Sequence, residues 1–317
     1  MPDNYRLGVV ERSVLEALDQ IGARHDRPHR KSANVVWVLE RDFGVSPRYA
    51  YDALCTLAQP WLLHVPLVDF HGNYGSPDEA DGPAAPRYTE ARLSAAGGIV
   101  LAAERGVGPR VPVTLINGDL HAGGSAPPFA PARVIDALLA LVDDPRVGDD
   151  EIIERVGRPA SPTGCDVACD SLALATGAST PLRLTARFIH EEAGRRHLIV
   201  LTNLPLGIGP FRVAEALGNR VDMRARRDPL WAPGEFDDLA LPLRDVRDET
   251  RDNNTRIVCE LLDNADPGRC EMQILSTWGV LTRTQVMLPA PLPQLVRELV
   301  DLDPDAQRAA IAALGVA

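Results

Sequence analysis

The densest set of groups able to hold a polyanion lies between residues 24 and 31. Arg24, Arg27, Arg30 and Lys31 stand there against a single acid, Asp26, with His25 and His29 interleaved. A local positive field of this kind is what a phosphate chain responds to, whatever the charge of the whole protein. Cys165 and Cys169, in Cys-Asp-Val-Ala-Cys, have no second cysteine pair or nearby histidine to complete a tetrahedral zinc site. The acidic run from Asp143 to Glu154 flanks a helix end and reads as a solvated turn rather than a metal site. Arg87-Tyr88, taken alone, reads as a strand tyrosine beside a surface arginine.

These residues need elements to position them. Val10, Val14, Leu15, Leu18 and Ile21 follow helical spacing and Gly22 can close the element, which predicts an amphipathic helix over about 9–21. Ser32 is placed to cap a second helix through Val35, Val36, Trp37, Val38 and Leu39, breaking near Phe43-Gly44. Ser46-Pro47 opens a third, with Ala50, Ala53, Leu54, Leu57 and Ala58 on its apolar side. Three short helices with a basic connection suggest a helix-turn-helix. The glycines and prolines from Gly72 to Pro86 then predict irregular loops around short extended pieces, as in a wing. Gly97 to Pro131 is rich in both residues and predicts a loop or hinge. Beyond it, a helix over Arg133–Val142, β-like runs at Leu182–Ile189, His197–Leu204, Thr255–Leu262 and Trp278–Leu288, a helical Phe211–Leu217 and a last helix over about Leu292–Ala313 give a mixed α+β second half.

Composition excludes several classes. With 45% hydrophobic and 24% charged residues, the 317-residue chain is globular in balance, and its longest apolar runs fall far short of the roughly 20 residues of a bilayer span. The opening residues hold no apolar signal segment and the five cysteines are an odd number, so a reduced, cytoplasmic protein is expected. The net charge of -11 is concentrated in residues 143–154 and 235–252, while the first sixty residues balance. Arginine supplies every basic group except Lys31; because the arginines are spread along the whole chain, a GC-rich coding sequence accounts for that bias more simply than phosphate recognition does.

Residues 66–94, PLVDFHGNYGSPDEADGPAAPRYTEARLS, carry the most specific pattern. Val68-Asp69, the turn Gly72 to Ser76, and Ala84-Ala85-Pro86-Arg87-Tyr88-Thr89-Glu90-Ala91-Arg92 follow one another as in the active-site region of the cleavage subunit of bacterial type IIA topoisomerases. The chain resembles that family, which comprises the A subunits of DNA gyrase and of topoisomerase IV. Supporting blocks come in the family's order: His29-Arg30-Lys31-Ser32-Ala33, Tyr51-Asp52-Ala53-Leu54, Ala58-Gln59-Pro60-Trp61, Asn117-Gly118, Val134 to Leu141, His197 to Pro205 and Arg247 to Leu261. The likeness runs, with gaps, from about residue 10 to residue 290.

The resemblance implies an α+β protein: a winged-helix DNA-cleavage domain over 1–105, a tower-like α+β domain over 106–290, and a C-terminal helix over 291–317 where the family's coiled-coil arm and β-pinwheel would be absent. It implies that the Tyr88 phenolate attacks a DNA phosphodiester to give a transient phosphotyrosine ester, while the Arg87 guanidinium holds the charge that builds on the nonbridging oxygens. Arg12, Arg30, Lys31, Ser32 and Arg48 take positions of DNA contacts, with the positive end of the helix after Lys31 adding its backbone amides. The partners implied are double-stranded DNA, a second copy of the chain in a homodimer, and a gyrase B-like ATPase subunit that holds both Mg2+ and ATP. No metal in this chain and no membrane are implied.

The departures from the pattern have consequences of their own. Where the family has His-Pro-His-Gly-Asp, this chain has Phe43-Gly44-Val45-Ser46-Pro47-Arg48, without either histidine, which implies slow cleavage. Arg48 replaces a serine used in quinolone binding, which implies a weak quinolone response. His71 replaces a glutamine and is expected to be structural. No isoleucine stands within Asp119 to Ala126 to insert between base pairs. Two functions follow from the resemblance: a DNA-cleaving and rejoining subunit, or a noncutting DNA-binding relative with a regulatory or protective role.

Overall fold

A computed structural model describes residues 7–78, 81–118, 126–221, 241–251, 254–301 and 303–315. The described residues up to Leu93 form three helices and a small sheet. Helix α1 (Val9–Gln20) buries Val14, Leu15 and Leu18, α2 (Ser32–Phe43) buries Val35, Val38 and Leu39, and α3 (Pro47–Thr56) buries Ala50 and Leu54. Helix α2 stops where Gly44 takes φ of 68°, a left-handed turn that glycine adopts without strain. Its N-cap position is held by Lys31, so Ser32 is the first helical residue and not the cap that the sequence suggested. Strands β1 (Arg30–Lys31), β2 (Val68–His71) and β3 (Glu90–Leu93) pair antiparallel in the order β1-β3-β2.

Gly97 and Gly98 do not break the chain into a hinge. They lie in helix α4 (Ala95–Glu104), capped by Ser94, whose Oγ accepts the Gly97 N–H at 2.9 Å. A Cβ at Gly97 would sit 2.0 Å from the Leu67 carbonyl oxygen, so the glycine is there to let α4 press against the chain leading into β2. Helix α5 (Val113–Asn117) follows, and the Asn117 amide bonds both the N–H and the carbonyl of Val65 at 2.9 Å. The expected loop of 97–131 is therefore about half helical where it is described; residues 119–125, most of the stretch searched for an isoleucine, lie outside the described residues.

The second half is α+β with antiparallel ladders. Helices α6 (Pro131–Asp143) and α7 (Asp149–Val156) come first. The acidic run expected to be a turn mostly forms α7, with Asp149, Asp150 and Glu151 in its first turn, where the helix dipole favours negative charge. Strand β4 (Asp166–Ala168), α8 (Ser171–Ala175), β5 (Thr180–Thr185), β6 (Arg187–Ala193), β7 (Arg196–Asn203), α9 (Pro210–Gly218), β8 (Leu243–Asp248), β9 (Ile257–Leu261), α10 (Pro267–Ile274) and β10 (Leu281–Val286) build two sheets, β10-β5-β4 and β6-β7-β9-β8. The single run read at 182–189 is split between them at Ala186. The last helix is two, α11 (Leu292–Leu299) and α12 (Pro304–Ala313), the second capped by Asp303.

The buried residues fall mainly into two clusters. One buried cluster runs from Leu7 through α4, α6 and β5 to Leu314. A second packs α9 and α10 against one face of the four-stranded sheet through Ile199, Leu217, Ile257 and Cys270. Among the described residues no helix is long and apolar enough to cross a membrane.

Candidate functional site

Tyr88 occupies the turn that enters β3, its N–H donating to the Ala85 carbonyl at 2.8 Å. The residue is 65% exposed, and the Arg87 guanidinium carbon lies 4.5 Å from the ring centroid. No ion pair ties Arg87 to a carboxylate among the described residues, which leaves its fork of donors open to solvent.

The turn is held from three sides. The Ser32 N–H donates to the Thr89 carbonyl at 3.0 Å and the Ala33 N–H to the Pro86 carbonyl at 3.1 Å, so the start of α2 is stitched to the segment that bears Tyr88. Gly72, at φ of +98°, brings its backbone so close that a Cβ would lie 3.3 Å from the Tyr88 carbonyl oxygen. Beneath runs a buried chain of hydroxyls: Tyr51 Oη lies 2.9 Å from Thr89 Oγ1, Thr89 Oγ1 donates to Ser32 Oγ at 2.9 Å, and Ser32 Oγ lies 2.7 Å from Tyr74 Oη. Tyr51 also donates to the Ala84 carbonyl at 2.5 Å, and Tyr74 to that of Glu90 at 3.3 Å. Burial pushes the Tyr51 phenol up to about 12 and raises that of Tyr74 as well. Of the three tyrosines here, only Tyr88 offers its hydroxyl to solvent; the other two brace it.

Two expectations change. Ser32 is fully buried with its hydroxyl committed to Tyr74 and Thr89, so it is a brace rather than a surface contact. Two of the leading amides of α2 are likewise taken up by carbonyls of the chain itself, and are not free to grip an anion. Arg30 and Lys31 are exposed on β1, which pairs with β3 so that Lys31 stands opposite Glu90; Lys31 Nζ lies 3.0 Å from Glu90 Oε1. Arg12 is half-buried on α1 and Arg48 exposed in the first turn of α3, and no hydrogen bond or ion pair joins either to the Tyr88 turn among the described residues.

Residues 7–105, which contain every one of these side chains, match the family of the DNA gyrase/topoisomerase IV A subunit. That segment belongs to this family. The likeness extends further along the chain: the DNA gyrase A subunit of Granulibacter bethesdensis is 33% identical over 285 residues, 81% of this chain and 29% of the relative. The DNA gyrase A subunit of Thermotoga maritima is 31% identical, over 81% of this chain and 33% of the relative, and the DNA topoisomerase 4 A subunit of Synechocystis sp. is 30% identical, over 81% and 30%. The chain thus spans about a third of the length of these curated relatives.

Within this gyrase-family segment, sequence reasoning passed over Tyr51, Tyr74 and Thr89 as parts of the site. Tyr74 is the aromatic of the Gly-Asn-aromatic-Gly-Ser turn, and an aromatic fixed between two glycines was the available signal. His29, interleaved among the basic residues of 24–31, has a side chain only 7% exposed and stacks on His71 with ring centroids 3.8 Å apart. Among the described residues no group of three or more histidines, cysteines or carboxylates converges to hold a metal ion.

Proposed function

We propose that the chain is the DNA-cleaving and rejoining part of a type II topoisomerase, akin to the gyrase A subunit, with Tyr88 as nucleophile. The observation that carries this reading is an exposed phenol beside a guanidinium with no carboxylate partner among the described residues, on a turn braced by Ser32, Thr89, Tyr51 and Tyr74. The phenol oxygen attacks phosphorus and loses its proton, the bond from phosphorus to a sugar oxygen breaks, and that sugar oxygen takes up a proton. One phosphoester replaces another, so the reverse step needs no external energy source. Arg87 offers paired N–H donors to the nonbridging oxygens as charge builds on them.

Arg12, Arg30, Lys31 and Arg48 are the proposed contacts to the sugar-phosphate chain, positioning the duplex without reading its sequence. Two copies would present two tyrosines to the two strands. A gyrase B-like subunit would supply ATP hydrolysis and the Mg2+ that assists the leaving oxygen. A winged-helix assignment over 1–105 is supported by the order α1-β1-α2-α3-β2-β3.

A second reading is favoured by the turn between α2 and α3. Residues 44–47, Gly-Val-Ser-Pro, hold no imidazole where the family has two histidines, which suits a protein that binds DNA without cutting it. Incubation with supercoiled DNA, Mg2+ and a candidate ATPase subunit, followed by a denaturant quench, separates the two. Protein attached to DNA ends in the wild type and not in Tyr88→Phe selects the enzyme. Salt-sensitive binding with no attachment selects the noncutting protein.

A further inference from the structure

The outer face of the first sheet carries two rows of charged groups leading up to Tyr88. In the nearer row Glu90 on β3 lies between Lys31 on β1 and His71 on β2, each its direct partner in register. In the farther row Asp69 on β2 stands opposite Arg92 on β3, whose Nε donates to Asp69 Oδ2 at 2.7 Å. His29, in the loop entering β1, places Nε2 3.2 Å from that same oxygen without the alignment of a hydrogen bond. The farther row is neutral as it stands. The nearer row is neutral only while His71 is, because Lys31 and Glu90 cancel.

We propose that His71 is a positioning residue that governs whether Lys31 is free to take a DNA phosphate. The inference rests on the DNA-binding reading above. In the DNA-free chain Lys31 is held by Glu90. Turning Lys31 to a phosphate exposes the Glu90 carboxylate to a second negative charge, which opposes binding. A protonated His71, side by side with Glu90 across the strand pair, takes over that carboxylate and releases Lys31. Imidazole is the side chain whose charge ordinarily changes between about pH 5 and 8. The groups facing His71 are Glu90 and Arg92 from β3, Lys31 and His29 from β1 and its entry, and Asp69 from its own strand. His29 does not compete for the proton: it is the buried member of the stack, and burial holds its basicity below the usual histidine range.

The test is duplex binding by the full chain, read by fluorescence anisotropy of a labelled oligonucleotide over several salt concentrations. Freeing one lysine for one phosphate steepens the dependence of log affinity on log salt by about 0.9 and strengthens binding close to tenfold in about 0.1 M salt. Wild type should show that gain between about pH 8 and about pH 5.5. His71→Gln should flatten it, and His71→Lys, with a fixed charge, should bind at the low-pH strength throughout. Unfolding midpoints at both pH values check that the variants are folded. A salt-dependent complex whose pH response survives in His71→Gln overturns this inference alone. Absence of salt-dependent binding by the wild type at every pH overturns it together with the DNA-binding reading.

Discussion

Arginines at two places in this molecule face opposite fates. On the four-stranded sheet, Arg196, Arg247 and Arg244 gather around Glu260 of β9 at 3.2, 3.4 and 3.5 Å, and Glu260 is only 3% exposed. Arg247 also meets Asp245 and Glu249, and Arg244 meets Asp263. At the Tyr88 turn, Arg87 lies over the face of a phenol and meets no carboxylate among the described residues. The residue type is the same and the chemistry is not, because a guanidinium with a carboxylate in its fork cannot also hold a phosphate. An arginine-rich composition therefore says little about anion binding. What decides it is where the chain leaves a guanidinium without an acid.

The sharpest way to break that contrast is to remove one arginine. Arg87→Ala should slow DNA attachment through Tyr88 by about 100-fold or more, the usual scale for losing a charge-stabilising donor. Since Arg87 is exposed and bears no ion pair among the described residues, the unfolding free energy should change by no more than about 0.5 kcal/mol. Stability loss without loss of attachment would show that Arg87 is a structural residue like those around Glu260. The mirror experiment is Glu260→Ala, which strands three arginines. Because those side chains are 36–56% exposed and can be rehydrated, the cost should be about 2 kcal/mol, below that of breaking a fully buried pair. Denaturant unfolding measures it, and DNA attachment should survive.

Bracing gives a smaller effect. Tyr74→Phe removes one hydroxyl from the buried chain and leaves Ser32 Oγ with one partner fewer, at a cost of about 1 kcal/mol. If the turn is positioned from below, attachment through Tyr88 should weaken as well. A variant that loses stability but attaches DNA at the wild-type rate would mean the turn holds its shape through Gly72 and the α2 amides alone.

How much of this was legible in the sequence depended on the range of the interaction. Helices α1, α2 and α3 could be read because their apolar spacing is local and Gly44 and Pro47 mark their ends. Tyr88 and Arg87 could be singled out as candidates because they sit in a motif. Ser32 was misread because its dipeptide context suits a cap, whereas its partners, Tyr74 and Thr89, lie 42 and 57 residues away. Gly97 was misread for the same reason: within α4 it looks like a breaker, and only the approach of Leu67 explains it. The break at Ala186 was invisible because both strands it joins are apolar enough to pass as one, and it is the Ala186 N–H bond to the Val280 carbonyl at 2.8 Å that marks the turn between sheets.

The smallest predicted effect probes the seam between the Tyr88 half and the rest. His64, after α3, donates from Nε2 to the Ala160 carbonyl at 3.1 Å, and burial lowers its basicity although that bond acts the other way. A histidine less basic when folded than when unfolded is neutral in the native state over a window where the unfolded chain takes up a proton. Its contribution is then fully present above about pH 6.5, the ordinary histidine value, and is lost as pH falls through the lower native value. His29 shifts in the same direction, also chiefly by burial, and adds to the acid sensitivity. Between about pH 7.5 and about pH 5.5 the urea midpoint should therefore fall, and it should fall less in His64→Gln, which has nothing to protonate. An equal fall in that variant would assign the acid sensitivity to His29 and its stack, and would mean that the contact with Ala160 is not strained by protonation at all.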